Sequence, residues 1–185
     1  MGKYEQIMQK QLKLNKTIFL DRDGVLNDAI IVDGKPFAPK SQKEFNIPQK
    51  CISTVKEIKS MGFLTIVVTN QPDIASGKVS PNLVDSFHDK LIKTMPIDDI
   101  FVCPHLDNVN CSCRKPKPGL IHQAVRKYSI DLQSSFLIGD RWRDVDCATN
   151  AGVKSIFIDY GYSEHLQTKP NFTISSIQYA LDIIK

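Results

Sequence analysis

The chain has 185 residues, 42% apolar and 24% charged, with 24 basic against 20 acidic side chains and a net charge of +4. That length suits one domain with a well-buried core, and the balance excludes long disorder. The positive charge is mild and scattered, with no lysine or arginine run, so a nucleic-acid partner is not expected, while a small anionic ligand is compatible.

Residues 1–16 carry Lys3, Lys10, Lys13 and Lys16 but lack the apolar centre of a signal peptide, and no stretch reaches membrane-spanning length. The expectation is a cytoplasmic monomer with no membrane partner: an N-terminal extension over 1–16, then one domain over 17–185.

Thr17–Leu20 is a short apolar run without helical period, which predicts a buried strand ending at Asp21-Arg22-Asp23-Gly24. Residues 27–46 have little periodicity and contain Gly34, Pro36 and Pro39, predicting a long loop. A helix is predicted over 48–61 with its stop at Gly62, then a strand over 64–68 that leads into Thr69-Asn70-Gln71. Next come a helix over 81–93, a strand over 100–102 leading into Cys103-Pro104-His105, and a helix over 118–128. A strand over 136–138 precedes Gly139-Asp140; a helix over 144–151, a strand over 155–158 and a closing helix over 174–185 complete the chain. Strand and helix alternate, so the fold class is α/β: a doubly wound parallel sheet with helices on both faces.

Ligands of such sheets bind beyond the carboxyl ends of the strands. Asp21 and Asp23, two residues apart at a strand end, return to the same side. One carboxylate can attack phosphorus and form an aspartyl phosphate, while the other protonates the leaving alcohol and then activates water. Asp140 follows another strand, and three converging carboxylates need a hard cation; magnesium with its oxygen ligands fits. Thr69 offers a hydroxyl donor and Lys115 a positive charge for the phosphoryl oxygens.

Cys103, His105, Cys111 and Cys113 place four soft or borderline ligands within one short segment, a set suited to tetrahedral zinc. With every position filled by protein, that metal is expected to be structural. It would steady the approach of Lys115, which follows directly.

Phe19–Gly24, Val68–Gln71, Arg114-Lys115-Pro116 and Ile138–Asp144 resemble, in order, the four motifs of the haloacid dehalogenase superfamily in its aspartate-nucleophile phosphatase branch. The Cys/His segment is similar to the zinc-loop subgroup of that family, which includes histidinol-phosphate and heptose-bisphosphate phosphatases. The resemblance implies a Rossmann-like domain without a large cap and a sugar bisphosphate as the small phosphorylated substrate, with histidinol phosphate or another sugar phosphate as the alternative. It implies Asp21 as nucleophile, Asp23 as acid and base, and magnesium held by Asp21, the Asp23 carbonyl and Asp140. Asn70, Gln71, Arg114 and Arg141 are expected at the substrate, the two arginines at a second anionic group. Asp144 has two readings, a helix cap or a residue that orients a metal-bound water. Cys51 and Cys147 are expected as buried fillers and His88, His122 and His165 as surface or satisfied core residues.

Overall fold

The structure is a computed structural model that describes residues 14–185. Most of the expected extension, residues 1–13, lies outside the described residues. In chain order the strands are β1 (Thr17–Leu20), β2 (Ile30–Val32), β3 (Lys35–Phe37), β4 (Leu64–Asn70), β5 (Asp99–Cys103), β6 (Phe136–Gly139), β7 (Lys154–Ile158) and β8 (Phe172–Ile174). The helices are α1 (Gln49–Ser60), α2 (Pro72–Ala75), α3 (Pro81–Thr94), α4 (Gly119–Tyr128), α5 (Trp142–Ala151) and α6 (Leu181–Ile184).

Six strands form one sheet in the order β5-β4-β1-β6-β7-β8, every neighbouring pair parallel. Side chains of a strand alternate between faces, so β1 supplies two cores. Ile18 and Leu20 pack with Val55 and Ile58 of α1 and with Phe87 and Leu91 of α3. Phe19 packs on the other face with Leu120, Ile121 and Ala124 of α4 and with Cys147 and Ala148 of α5. Cys51 and Cys147 are buried, as fillers should be, and burial pushes the Cys147 thiol up to about 12.

Helix α3 shows how the local sequence sets an element. Pro81 opens it, the Ser80 hydroxyl accepts from the Leu83 amide, and Val84, Phe87, His88 and Leu91 form one buried stripe.

Three expectations change. The loop over 27–46 contains the antiparallel hairpin β2–β3, turned at Asp33 and Gly34, which both have positive φ (49° and 70°). Asp-Gly is the pair that this turn needs. The closing helix over 174–185 is instead an edge strand, a 3-10 turn over Ile177–Ala180 and the short α6. Phe172-Thr173-Ile174 is aromatic and β-branched and pairs with β7, so sheet formation wins there. The fold is also entered before residue 17, since Asn15 bridges Ile130 and its amide donates to the Ser129 carbonyl at 2.9 Å. Among the described residues no inserted domain covers the carboxyl edge of the sheet.

Candidate active site

The strand order reverses at β1. The chain steps outward through β4 to β5, then returns to β6 on the opposite flank, which opens a crevice at the carboxyl ends. Asp21 continues the β1–β6 ladder one residue further, its amide donating to the Ile138 carbonyl at 2.9 Å. Its side chain thereby faces Asp140, just past β6, and Asp144, in the first turn of α5. Carboxylate oxygens of these three lie within 4.8 Å of one another, and all three residues are buried.

Lys115 enters this cluster with 2% of its surface exposed. Its Nζ lies 2.8 Å from Asp21 Oδ1 and 2.6 Å from Asp144 Oδ1. Burial opposes the lysine charge, but Asp144 and Asp21 outweigh it and hold the pKa above the ordinary lysine value. Burial raises Asp21 to about 6, against the pull of Lys115 and with the repulsion of Asp144. Asp144 fills its cap role and more: Oδ2 accepts the Arg141 amide at 3.1 Å while Oδ1 holds Lys115.

Asp140 lacks a hydrogen-bond partner among the described residues. Both carboxylate oxygens are buried, and burial, then Asp21 and Asp144, drive its pKa well up, with the nearby Tyr162 hydroxyl acting weakly the other way. A carboxylate oxygen orphaned beside two more carboxylates is the donor set of a hard cation. Two glycines permit the crowding. A Cβ on Gly24, which has φ of 87°, would stand 1.9 Å from Asp140 Oδ2, and one on Gly139 would stand 2.2 Å from Asp144 Cβ.

Asp23 sits at the edge of the cluster on a different set of donors. Asn27 Nδ2 donates to Oδ1 at 3.0 Å, Gln71 Nε2 to Oδ2 at 2.8 Å, and the Arg22 guanidinium to both oxygens. Gln71, expected at the substrate, is 1% exposed and also donates to the Thr69 hydroxyl at 2.9 Å. Asn70 borders the cavity, but its amide is engaged by the Lys115 backbone.

The carboxylates open into a cavity of about 490 Å³ bordered by Asp21, Asp23, Lys35, Lys40, Arg114 and Arg143, among others. Arg114 and Arg143 share Asp107, at 2.6 and 3.2 Å. Arg141 also borders the cavity and pairs with Glu164. Both arginines expected at a second anion are therefore present but already countered by acids.

The Cys/His segment closes on itself. Cys103 Sγ lies 3.1 Å from Cys113 Sγ and 3.6 Å from Cys111 Sγ, and His105 Nδ1 lies 3.3 Å from Cys113 Sγ. All four ligand atoms lie within 4.8 Å of one another, and the thiols are free rather than disulfide-linked. Metal–sulfur bonds of about 2.3 Å arranged tetrahedrally give edges of about 3.8 Å, so the cluster has the size to hold a metal ion.

Sequence reasoning gave no site role to Arg22, Lys35, Lys40, Arg143 or Asp107, while His88, expected as a surface or satisfied core residue, is buried and partnered by Arg22. His88 had a readable signal, because it falls on the apolar stripe Val84-Phe87-His88-Leu91 of α3. Lys35 and Lys40 had none, since their approach depends on the fold of β2–β3 and of the loop that follows it.

The HAD-hydrolase-like family model matches residues 112–180. A D-glycero-alpha-D-manno-heptose-1,7-bisphosphate 7-phosphatase of Photorhabdus laumondii is 39% identical over 155 residues, covering 77% of this chain and 81% of that one. A D-glycero-beta-D-manno-heptose-1,7-bisphosphate 7-phosphatase of Helicobacter pylori is 38% identical over 151 residues, covering 78% and 83%. The crystal structure of D,D-heptose 1,7-bisphosphate phosphatase from B. bronchiseptica, complexed with magnesium and phosphate, superposes with a TM-score of 0.77 at 26% identity, covering 91% and 97%. With a fold, a carboxylate cluster and relatives that agree, the chain belongs to the haloacid dehalogenase-type phosphatases.

Proposed function

We propose that this chain is a magnesium-dependent phosphatase of a sugar bisphosphate, D-glycero-D-manno-heptose 1,7-bisphosphate, and that its metal-bearing Cys/His loop holds zinc. The observation that carries the reading is the meeting of Asp21, Asp140 and Asp144 around the buried Lys115. The relatives' substrates support the choice of sugar. Enzyme and substrate meet in the cytoplasm, where free thiols persist for zinc, and the enzyme acts as a monomer.

Asp21 attacks phosphorus, a P–O bond to Asp21 forms, and the bond to the sugar oxygen breaks. Asp23 gives its proton to that leaving oxygen. Water then attacks the aspartyl phosphate while the Asp23 carboxylate takes its proton, which frees phosphate and restores Asp21. Thr69 and Lys115 hold phosphoryl oxygens, and Lys115 draws its position from Asp144. Asp21, Asp140 and the Asp23 carbonyl would hold magnesium, which would supply the positive charge that lets an anionic nucleophile approach a dianion. Lys35 and Lys40, which border the cavity, meet the second phosphate, with Arg114 and Arg141 lining the same cavity in ion pairs with Asp107 and Glu164.

The test is phosphate release from a panel of heptose 1,7-bisphosphate, histidinol phosphate and a 3′-phosphorylated oligonucleotide, with Asp21→Asn as control. Heptose bisphosphate should be preferred and the variant should be folded and inactive. Preference for the oligonucleotide, or full activity of Asp21→Asn, would reject the reading.

A further inference from the structure

Arg22 lies between the two aspartates of the first motif and is the largest fully buried side chain described, with 0% exposed. A buried guanidinium beside a nucleophilic carboxylate is costly unless its donors are used. All are directed. Nε donates to Asp23 Oδ1 at 3.1 Å, and Nη2 lies 2.9 Å from both Asp23 oxygens and 3.0 Å from Gln71 Oε1. Nη1 turns the other way, to His88 Nε2 at 3.2 Å.

The guanidinium is also held by rings. Phe45 and Phe87 stack with centroids 4.3 Å apart and planes within 3°, and the guanidinium carbon lies 5.8 and 5.7 Å from their centres. His88 occupies a place on α3 where an aliphatic residue would fill the same core. Because an arginine can only donate, His88 Nε2 must present its lone pair to Nη1, with the ring proton on Nδ1.

We infer that Arg22 and His88 are positioning residues for proton transfer by Asp23, the guanidinium fixing the carboxyl and the imidazole fixing the guanidinium. The inference rests on the phosphatase reading above. The chemistry of the first step gives the fork its purpose. When the P–O bond to the leaving oxygen breaks and Asp23 gives up its proton, the carboxylate left behind is the form that Arg22 and Gln71 stabilise. The same carboxylate is the base of the second step. With several donors engaged, the carboxyl can rotate only by breaking them together. Burial, and after it Arg22, lowers His88 to about 4, which keeps the imidazole neutral and accepting at neutral pH. Without that acceptor, Nη1 would be a buried unpaired donor, and relief would come from turning the guanidinium away from Asp23.

The prediction separates positioning from packing through the leaving group. An alkyl phosphate needs a proton on its leaving oxygen, whereas p-nitrophenyl phosphate releases a stable anion without one. In the full-length, metal-loaded enzyme, His88→Leu should lower kcat/KM for heptose 1,7-bisphosphate by about tenfold or more, and for p-nitrophenyl phosphate by less than about threefold. His88→Gln, whose carbonyl oxygen can accept from Nη1, should restore most of the loss. Asp23→Asn should show the same leaving-group bias in stronger form. If His88→Leu does not fold, Arg22→Lys, which keeps the charge and loses the fork, carries the same comparison. Equal losses on both substrates, or failure of Gln to rescue, would overturn the inference. Wild-type enzyme that hydrolyses neither substrate would instead sink the phosphatase reading itself.

Discussion

Asn70 and Lys115, 45 residues apart, are joined as two strands are joined: the Asn70 Nδ2 donates to the Lys115 carbonyl at 3.1 Å and its Oδ1 accepts the Lys115 amide at 3.0 Å. The amide of one side chain thus sets the backbone from which the site's buried cation projects. Asn70→Ala should remove two hydrogen bonds, each worth about 1 kcal/mol, and lower the melting temperature accordingly. A loosened Lys115 should cost about tenfold or more in kcat while the protein stays folded. Unchanged kcat in a variant of lowered stability would show that Lys115 is positioned without Asn70.

The sequence made the strand-end residues legible because a short apolar run followed by polar side chains fixes both an element and its exit. Asp21, Thr69 and Asp140 were read this way, and in the structure each stands at or just past the carboxyl end of a parallel strand, β1, β4 and β6. The Cys/His spacing was equally readable, since four ligands so close in sequence can meet without help from the fold. Partners were not readable. That Gln71 turns inward to Asp23, and that Asp107 and Glu164 counter the arginines, depends on which loops lie side chain to side chain. Asp144 shows the limit well: its cap role follows from local spacing, whereas its ion pair spans 29 residues to Lys115.

The Cys/His loop runs from Cys103 to Cys113, and Arg114 and Lys115 follow without a spacer. Protein purified without added metal should contain about one zinc per chain by elemental analysis. Cys113→Ser should lose it, lower the melting temperature, and reduce kcat because the loop no longer anchors Lys115. Full activity in zinc-free protein would remove the link between loop and site.

Lys35 and Lys40 border the cavity with no acidic partner among the described residues, whereas Arg114, Arg141 and Arg143 each have one. Unpaired cations are the ones free to meet a second phosphate. Lys35→Ala and Lys40→Ala should each raise KM for the bisphosphate about fivefold, equivalent to about 1 kcal/mol, and leave KM for the matching monophosphate within about twofold. Equal shifts for both substrates would assign the lysines to general attraction of anions.

His88 also sets a pH dependence of folding. Burial, and then Arg22, lowers its folded pKa from 6.5 to about 4, with Asp85, Asp23 and Asp89 acting weakly the other way. The unfolded imidazole takes up a proton below pH 6.5 that the folded one refuses. Stability is therefore whole above that value, falls as the pH drops toward 4, and changes no further below it. At pH 5 the loss amounts to about 2 kcal/mol. Urea unfolding of wild type and His88→Gln at pH 7.5 and pH 5 isolates this contribution, because other titrating groups are common to both. Wild type should lose about 2 kcal/mol more than the variant between the two values, and parallel losses would mean that the imidazole is protonated inside the fold, with Nε2 no longer accepting from Arg22.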